Sequence, residues 1–490
     1  MNSTQTSHTP PVGFRKRPGL AAWLPAVLTL LGVLPAARLS PAAGQEPGGA
    51  FLRQQRAVEE DVRLALNREL PADQKIDWDA GGWYSFYTYL WDDGIESSRT
   101  YRRHDVRGWT SLSLDRGAHQ FYVRGRLLFH DFNSGDAYDG NDDDTEGPNL
   151  DRGFYQFDLR RAVQAARREP MDWNLRVKAG RDYVELGTGY ALSLPMDHVL
   201  LTLEAADLEV QGLAGMSVHS TDDIERSRPG SGRMERCFWG GQVKYKGLER
   251  HEPFFYGFIQ EDHNEEARRV PFQEYDYNSW YLGIGSTGEV VKDLRYATEL
   301  VFEGGSSYGH RRWLTDDRIC AWAYDLELDY LPRRAWKPRF SGAYMFAGGD
   351  GDRFGSPTDA VGGNTRGKDT GFSGFGYRDT GLAFGPRLSN VHVWRLGTGF
   401  HPLEDIEGLE NLEVGTDWFL YCRNHGDGAV SDPTADRTSN YLGWEMDYFV
   451  NWRLTSDLAW TARLGTFFPG SAFSDRTTRT FFLTGVTWSF

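Results

Sequence analysis

Asp325, Glu327 and Asp329 are the first residues of this chain whose types and spacing could do chemistry. On one strand, residues at i and i+2 sit about 7 Å apart, a separation at which paired carboxylates can work on a glycosidic bond. The same spacing arises in any polar wall, so it has little specificity. His263 with Glu265 and Glu266, and His251 with Glu252, are the nearest approach to a metal or acid–base cluster. Both lie in charged, loop-like sequence that reads as solvated surface. No Walker loop, His-Glu-x-x-His or Cys-x-x-Cys occurs. No catalytic residue, metal ligand or cofactor is assigned on this basis.

Charge on alternate residues is what recurs. Arg103, Arg107, Arg124, Arg126, Arg160, Arg176 and Lys178 dominate the early half. Glu299, Glu303, Asp325, Glu327, Asp329, Glu413, Asp417, Glu445 and Asp447 dominate the late half, with Arg423, Arg453 and Arg463 interspersed. If consecutive strands follow one another around a barrel, one wall of its lumen is positive and the opposite wall negative. Such a field in a wetted pore orients and passes charged or polyhydroxylated solutes. Tyr122 and Tyr421, in the same phase, add surface for stacking on a sugar. The bland counterpart is a set of cross-strand ion pairs that stiffen the wall.

These charges are carried by segments with a period of two. Val106, Thr110, Leu112 and Leu114 oppose Arg103, Asp105, Arg107 and Ser111, and Phe121, Val123, Leu127 and Phe129 oppose Tyr122, Arg124, Arg126 and His130. Tyr155, Phe157 and Leu159 oppose Gln156, Asp158 and Arg160. In the later half, Leu294–Phe302, Tyr324–Tyr330, Val414–Leu420, Leu442–Trp452 and Leu458–Phe468 repeat the pattern. The chain closes on Thr480–Phe490, where Phe482, Val486, Trp488 and Phe490 share one face. A soluble sandwich has too little core for this many large apolar residues, whereas a membrane barrel turns them to lipid and gathers aromatics at both interfaces. The expectation is an all-β protein: a transmembrane antiparallel β-barrel of about 18 strands over residues 75–490, in a Gram-negative-type outer membrane.

Composition agrees. The 490 residues are 14% aromatic with 56 Gly, and a mean hydropathy of −0.55 excludes a helical membrane bundle but not a half-apolar barrel. Cys237, Cys320 and Cys422 are odd in number and far apart, which suggests no disulfide framework. Arg15, Lys16 and Arg17 precede an apolar run from Leu20 to Leu34 and small residues up to Gly44, so residues 1–44 read as an export signal peptide. Its removal takes away those three cations and Arg38 but no acid, lowering the net charge from −15 to about −19. That balance argues against nucleic acid as a partner. Residues 45–73 carry Val58, Val62, Leu66 and Leu70 at helical spacing up to Pro71, which predicts a short amphipathic periplasmic helix. It would lean on the barrel rim, cap the pore or meet an export partner.

Two connections are long. Gly135–Pro148 is acidic and reads as a solvated loop, with Ca²⁺ as the sharper alternative. Gly348–Phe384 is rich in Gly, Asp and Arg without a strand pattern, and either constricts the lumen or lies outside it.

Three passages resemble the alginate-export family of outer-membrane porins: Leu175–Arg181, Gly385–Asn390, and the closing pair Ala462–Gly470 with Trp488–Phe490. The resemblance implies an eighteen-stranded barrel that passes an anionic uronate polymer through an arginine-lined lumen with selective acids. By position it assigns Arg181, Arg463 and Asp158 to that lumen. It also makes Phe490 the terminal aromatic shown to the assembly machinery. The family's Arg-Glu before the Asp158 strand stands here as Gly153-Phe154, the arginine before its Leu-Ser-Asn element as Gly385, and a late acid as Gly485. Arg181 shares the parity of Leu175 and Val177, so a lumenal position requires a bulge near Gly180. The expected function is a channel for an anionic polysaccharide or oligosaccharide, embedded in outer-membrane lipid. Arg124, Arg126, Asp158, Arg160, Arg176, Lys178, Arg181, Glu445, Asp447 and Arg463 are the expected lumenal site. The alternatives are an outer-membrane enzyme on polysaccharide or lipid, and a soluble secreted β lectin.

Overall fold

Strict alternation gives a sheet one apolar and one polar face; closing the sheet turns the first to lipid and the second to the lumen, and here it closes. A computed structural model describes residues 76–94, 98–137, 142–167, 170–219, 221, 224, 234–263, 277–307, 317–353 and 367–490. The export signal and amphipathic helix expected over 1–73 lie outside the described residues. Eighteen antiparallel strands form one sheet in sequence order, and β1 (Ile76–Asp92) closes it by pairing with both β2 (Arg99–Leu114) and β18 (Arg479–Ser489). The closing register sets Trp83 opposite Ser489 and Asp92 opposite Thr480. Closure leaves no free edge, the condition for β-structure to stand in lipid.

The two rims differ. At one, two-residue turns join β6 (Leu192–Ala205) to β7 (Leu208–Ser217) and β10 (Asn278–Val291) to β11 (Leu294–Ser307). Ile76 and Phe490 lie at this same rim. The other rim carries the long connections, including the one between β13 (Arg339–Ala347) and β14 (Val391–Phe400). On the outer wall Leu201, Phe255, Ile259, Leu282, Ile284 and Leu396 are exposed. Aromatic stacks cross strands on this face, among them Trp444 on Phe468 at 4.3 Å and Trp418 on Trp444 at 6.1 Å. Tyrosine hydroxyls meet histidine Nδ1 atoms there at Tyr84–His104 (2.7 Å) and Tyr344–His392 (2.9 Å). Each pair satisfies two polar groups that lipid cannot.

The structure corrects three local expectations. Leu159 and Arg160 do not extend β4 (Asp144–Asp158); they open the helix α1 (Leu159–Arg167), which leads to β5 (Trp173–Leu186). Asp158 Oδ1 accepts the Arg161 amide at 3.0 Å, an N-cap ahead of helix-forming Arg, Ala and Gln. The alternation of Tyr155, Phe157 and Leu159 runs straight through that cap, so periodicity cannot mark it. The acidic loop is shorter than expected, because residues 144–148 belong to β4, where Asp144, Thr145 and Glu146 pair with β3 (His119–Phe132). Leu442 faces inward and is fully buried. A register shift between Tyr421 and Cys422 changes its phase relative to Trp444 and Met446.

Candidate functional site

Inward-facing cations of β2 to β5 form a ladder down one side of the lumen. The register sets Arg107 opposite Trp83 on β1 and Arg126 on β3. Arg124 lies opposite Arg152 on β4, and Lys178 and Arg176 of β5 lie opposite Gln156 and Asp158. Inward residues of one strand are spaced about 7 Å apart, so the ladder descends from Arg103 to Arg176 near the short-turn rim. Its members differ in depth. Arg103, Arg107 and Arg124 are buried, whereas Arg126, Arg152, Lys178 and Arg176 keep side-chain exposures of 24%, 17%, 19% and 36%. Asp105 receives Arg107 Nε and Arg126 Nη2 at 2.9 Å each, and Asp151 receives Arg124 Nε at 2.5 Å. Asp182 receives Arg152 Nη1 at 3.1 Å and the Lys178 ammonium. Trp83 lies beneath Arg107 and Arg124, with guanidinium carbons 5.6 and 5.2 Å from its ring. The acids fix the directions of Arg107, Arg124, Arg126, Arg152 and Lys178, and the indole supplies an apolar backing.

Across the lumen the acids have another task. Of the β13–β14 connection, the described residues 370–384 fold inward and run along the inner faces of the later strands. Ser373 N donates to Glu303 of β11 at 2.8 Å, and Tyr281 Oη of β10 donates to Ser373 O at 2.5 Å. Arg378 gives Nε and Nη2 to Asp325 of β12 (Asp317–Tyr330) at 2.8 and 2.6 Å, with Glu327 at 3.3 Å. Burial pulls the Arg378 guanidinium down, but the Asp325 and Glu327 carboxylates outweigh it and hold the group above its ordinary value. The short β5–β6 connection also turns in, and Thr188 N and Oγ1 both donate to Glu299 at 2.6 Å. The two connections pair with each other: Phe375 N donates to Ala191 O at 2.8 Å and Ser193 N to Phe375 O at 3.0 Å. Phe372 and Phe375 then pack with Phe238, Phe258 and Tyr281 in a buried apolar cluster. Further along, Glu445 of β16 (Tyr441–Arg453) accepts three consecutive loop amides.

A protein-family model described as alginate export matches residues 223–484. The chain belongs to the alginate export family. It is a porin-type barrel of the Gram-negative outer membrane. No curated protein matches it in sequence. Among solved structures it is similar to the Pseudomonas aeruginosa protein OccK2 (OpdF) in complex with glucuronate, at 12% identity and a TM-score of 0.50 over 84% of this chain and 98% of that one. It is also similar to OccK3 (OpdO) and OccK8 (OprE) of the same organism, at 12% and 10% identity. Both give a TM-score of 0.48 over 84% of this chain, covering 96% and 98% of theirs.

Within this alginate export barrel, the expected residues separate into four groups. Arg124, Arg126, Arg176 and Lys178 come together on the ladder. Asp158 and Arg160 sit at the start of α1: Asp158 caps the helix and accepts Asn174 Nδ2 at 3.2 Å, and Arg160 is 3.8 Å from Glu204. Glu445, Asp447 and Arg463 face inward but are buried beside the loop. Arg463 and Asp447 line a cavity of about 10 Å³ with Asp379, Leu382, Asp417, Tyr448 and Phe449, far too small for a sugar ring.

Arg181 is the clear correction: it lies on the outer wall. The β4–β5 and β5–β6 registers pass through Gly180 and Arg181 without a shift, so no bulge turns the side chain inward. It forms a two-point pair with Asp197 at 2.7 and 2.8 Å and donates Nη1 to Leu150 O. Gly180 serves a different end, since a Cβ there would stand 2.3 Å from Gly153 O.

Sequence reasoning missed Asp151, Arg152, Trp83 and Arg378. A register shift opposite Arg124 and Gly125 leaves Asp151 as an extra residue, so that it joins Arg152 on the lumenal side. Two adjacent charges before Gly153 were the available signal. Arg378 carried none, because its function depends on how a patternless loop folds.

Proposed function

We propose that the barrel passes an anionic uronate polymer or oligosaccharide along the β2–β5 wall, with Arg126, Arg152, Lys178 and Arg176 as successive contact points. The observation that carries this reading is the division of labour between the walls. Glu299, Glu303, Asp325 and Glu445 of the late strands are engaged with the inward loops, while Arg126, Arg152, Lys178 and Arg176 stand partly exposed in a row on the early strands. A carboxylate moving along such a ladder exchanges one charge-assisted hydrogen bond for the next and is never held by all of them. The glucuronate complex of the structurally similar OccK2 (OpdF) supports the choice of an acidic sugar. The proposal includes residues 1–44 as the export signal and residues 45–73 as a periplasmic segment at the rim, where export partners would meet the barrel.

Conductance in planar bilayers tests it. Polyuronate added to one side should interrupt the ionic current of the wild-type barrel. Lys178→Ala and Arg152→Ala should each weaken that block by about three- to tenfold, as expected for one lost charge-assisted contact. A current indifferent to polyuronate would overturn the polymer reading and leave an ion-conducting barrel.

A further inference from the structure

Glu445 sits in an unusual cradle. Its Oε1 accepts the amides of Leu382 and Ala383 at 2.6 Å each, and its Oε2 accepts the amide of Phe384 at 2.9 Å. Tyr421 Oη adds a fourth donor at 3.1 Å. Three consecutive backbone N–H groups converging on one carboxylate make an anion nest. The backbone is shaped for it: Gly381 and Gly385 flank the segment at φ of 110° and 48°. A Cβ on Gly381 would stand 2.4 Å from Tyr421 Oη and 2.9 Å from Glu445 Oε1. The Phe384 ring, stacked on Phe467 at 4.4 Å, closes the site above. Glu445 itself is fully buried.

The nest therefore selects a carboxylate by geometry, and the barrel wall supplies the one now in it. A uronate presents the same two oxygens on a ring carbon. We propose that the Leu382–Phe384 nest is a carboxylate-binding site for the cargo, in which Glu445 is an internal stand-in that holds the loop against β16 until a uronate carboxylate replaces it. This rests on the channel reading above but makes a separate claim, that the loop, and not only the cationic wall, recognises the acidic sugar. A polymer with a carboxylate on every ring is a strong competitor, because each displaced contact leaves the next carboxylate already nearby.

Chemical rescue in planar bilayers tests it with the full chain. Glu445→Ala empties the nest and frees the loop, so open-channel conductance should rise. D-glucuronate, added as the free monomer, should then refill the nest and return the conductance saturably towards the wild-type level. Glucose should do nothing, and the wild-type barrel, whose nest is filled, should respond to glucuronate at least about tenfold more weakly. If Glu445→Ala does not form a heat-modifiable barrel on gels, Glu445→Ser takes its place, since it too removes the carboxylate from the nest while keeping a polar side chain on the lumenal face. Failure of glucuronate to lower the conductance of the variant, or an equal effect of glucose, overturns the nest. Polyuronate block of the wild type without rescue of the variant overturns the nest alone. Rescue without polyuronate block supports the nest and overturns the polymer reading.

Discussion

Arg181 and Lys178 stand three residues apart on β5 and face opposite solvents. The parity of the strand separates them, and their partners differ accordingly: Asp197 on the outer wall for Arg181, Asp182 on the lumenal side for Lys178. Arg181→Ala should leave ionic conductance and polyuronate block within about twofold of wild type, since an exposed pair contributes only a few tenths to 1 kcal/mol. Lys178→Ala should show its effect in the block. Bilayer recordings of the two variants side by side check this, and a weakened block in Arg181→Ala would return that residue to the lumen.

Among the elements, the inward loop and the closing strand are the two that make a channel from a sheet. Arg378 joins the loop to β12 and, through Thr188 O at 3.1 Å, to the β5–β6 connection. Removing it leaves Asp325 buried beside a looser loop. Arg378→Ala should therefore give a larger and noisier open-state current, read in the same bilayers, while heat-modifiable mobility on gels remains. The closing strand depends on its last residue. Phe490 N donates to Gly82 O at 2.9 Å and Gly82 N to Phe490 O at 2.8 Å. Deleting Phe490 removes the final rung of the seam as well as an aromatic at the membrane interface. The fraction of chain recovered as heat-modifiable barrel should fall severalfold.

For the whole molecule, lipid outside and water inside impose opposite rules on alternate residues. Leu201 lies on the lipid face and is 47% exposed. Leu201→Arg should destabilise the barrel by about 2–4 kcal/mol if it sits near the bilayer midplane. Urea unfolding in lipid vesicles measures that cost. The lumen obeys electrostatics in water, so polyuronate block should weaken steeply as salt is raised from 0.1 M to 1 M, where the screening length falls from about 10 to 3 Å. A block insensitive to salt would contradict a cationic ladder.

The sequence by itself determined the barrel. Period-two alternation needs only local geometry, and its repetition over Ile76–Phe490 specifies strands, faces and closure without knowledge of any loop. The same alternation correctly placed Arg124, Arg126, Arg176 and Lys178 inside. Its limits are equally physical. A phase read from one strand does not show a cap such as Asp158, an extra residue such as Asp151, or which inward acid will meet a loop from across the lumen. Only the tertiary structure decided that Glu303, Asp325 and Glu445 bind the inward connection instead of facing an open passage. Residues 370–384 have no periodicity of their own and take their path from long-range contacts with β10, β11, β12 and β16.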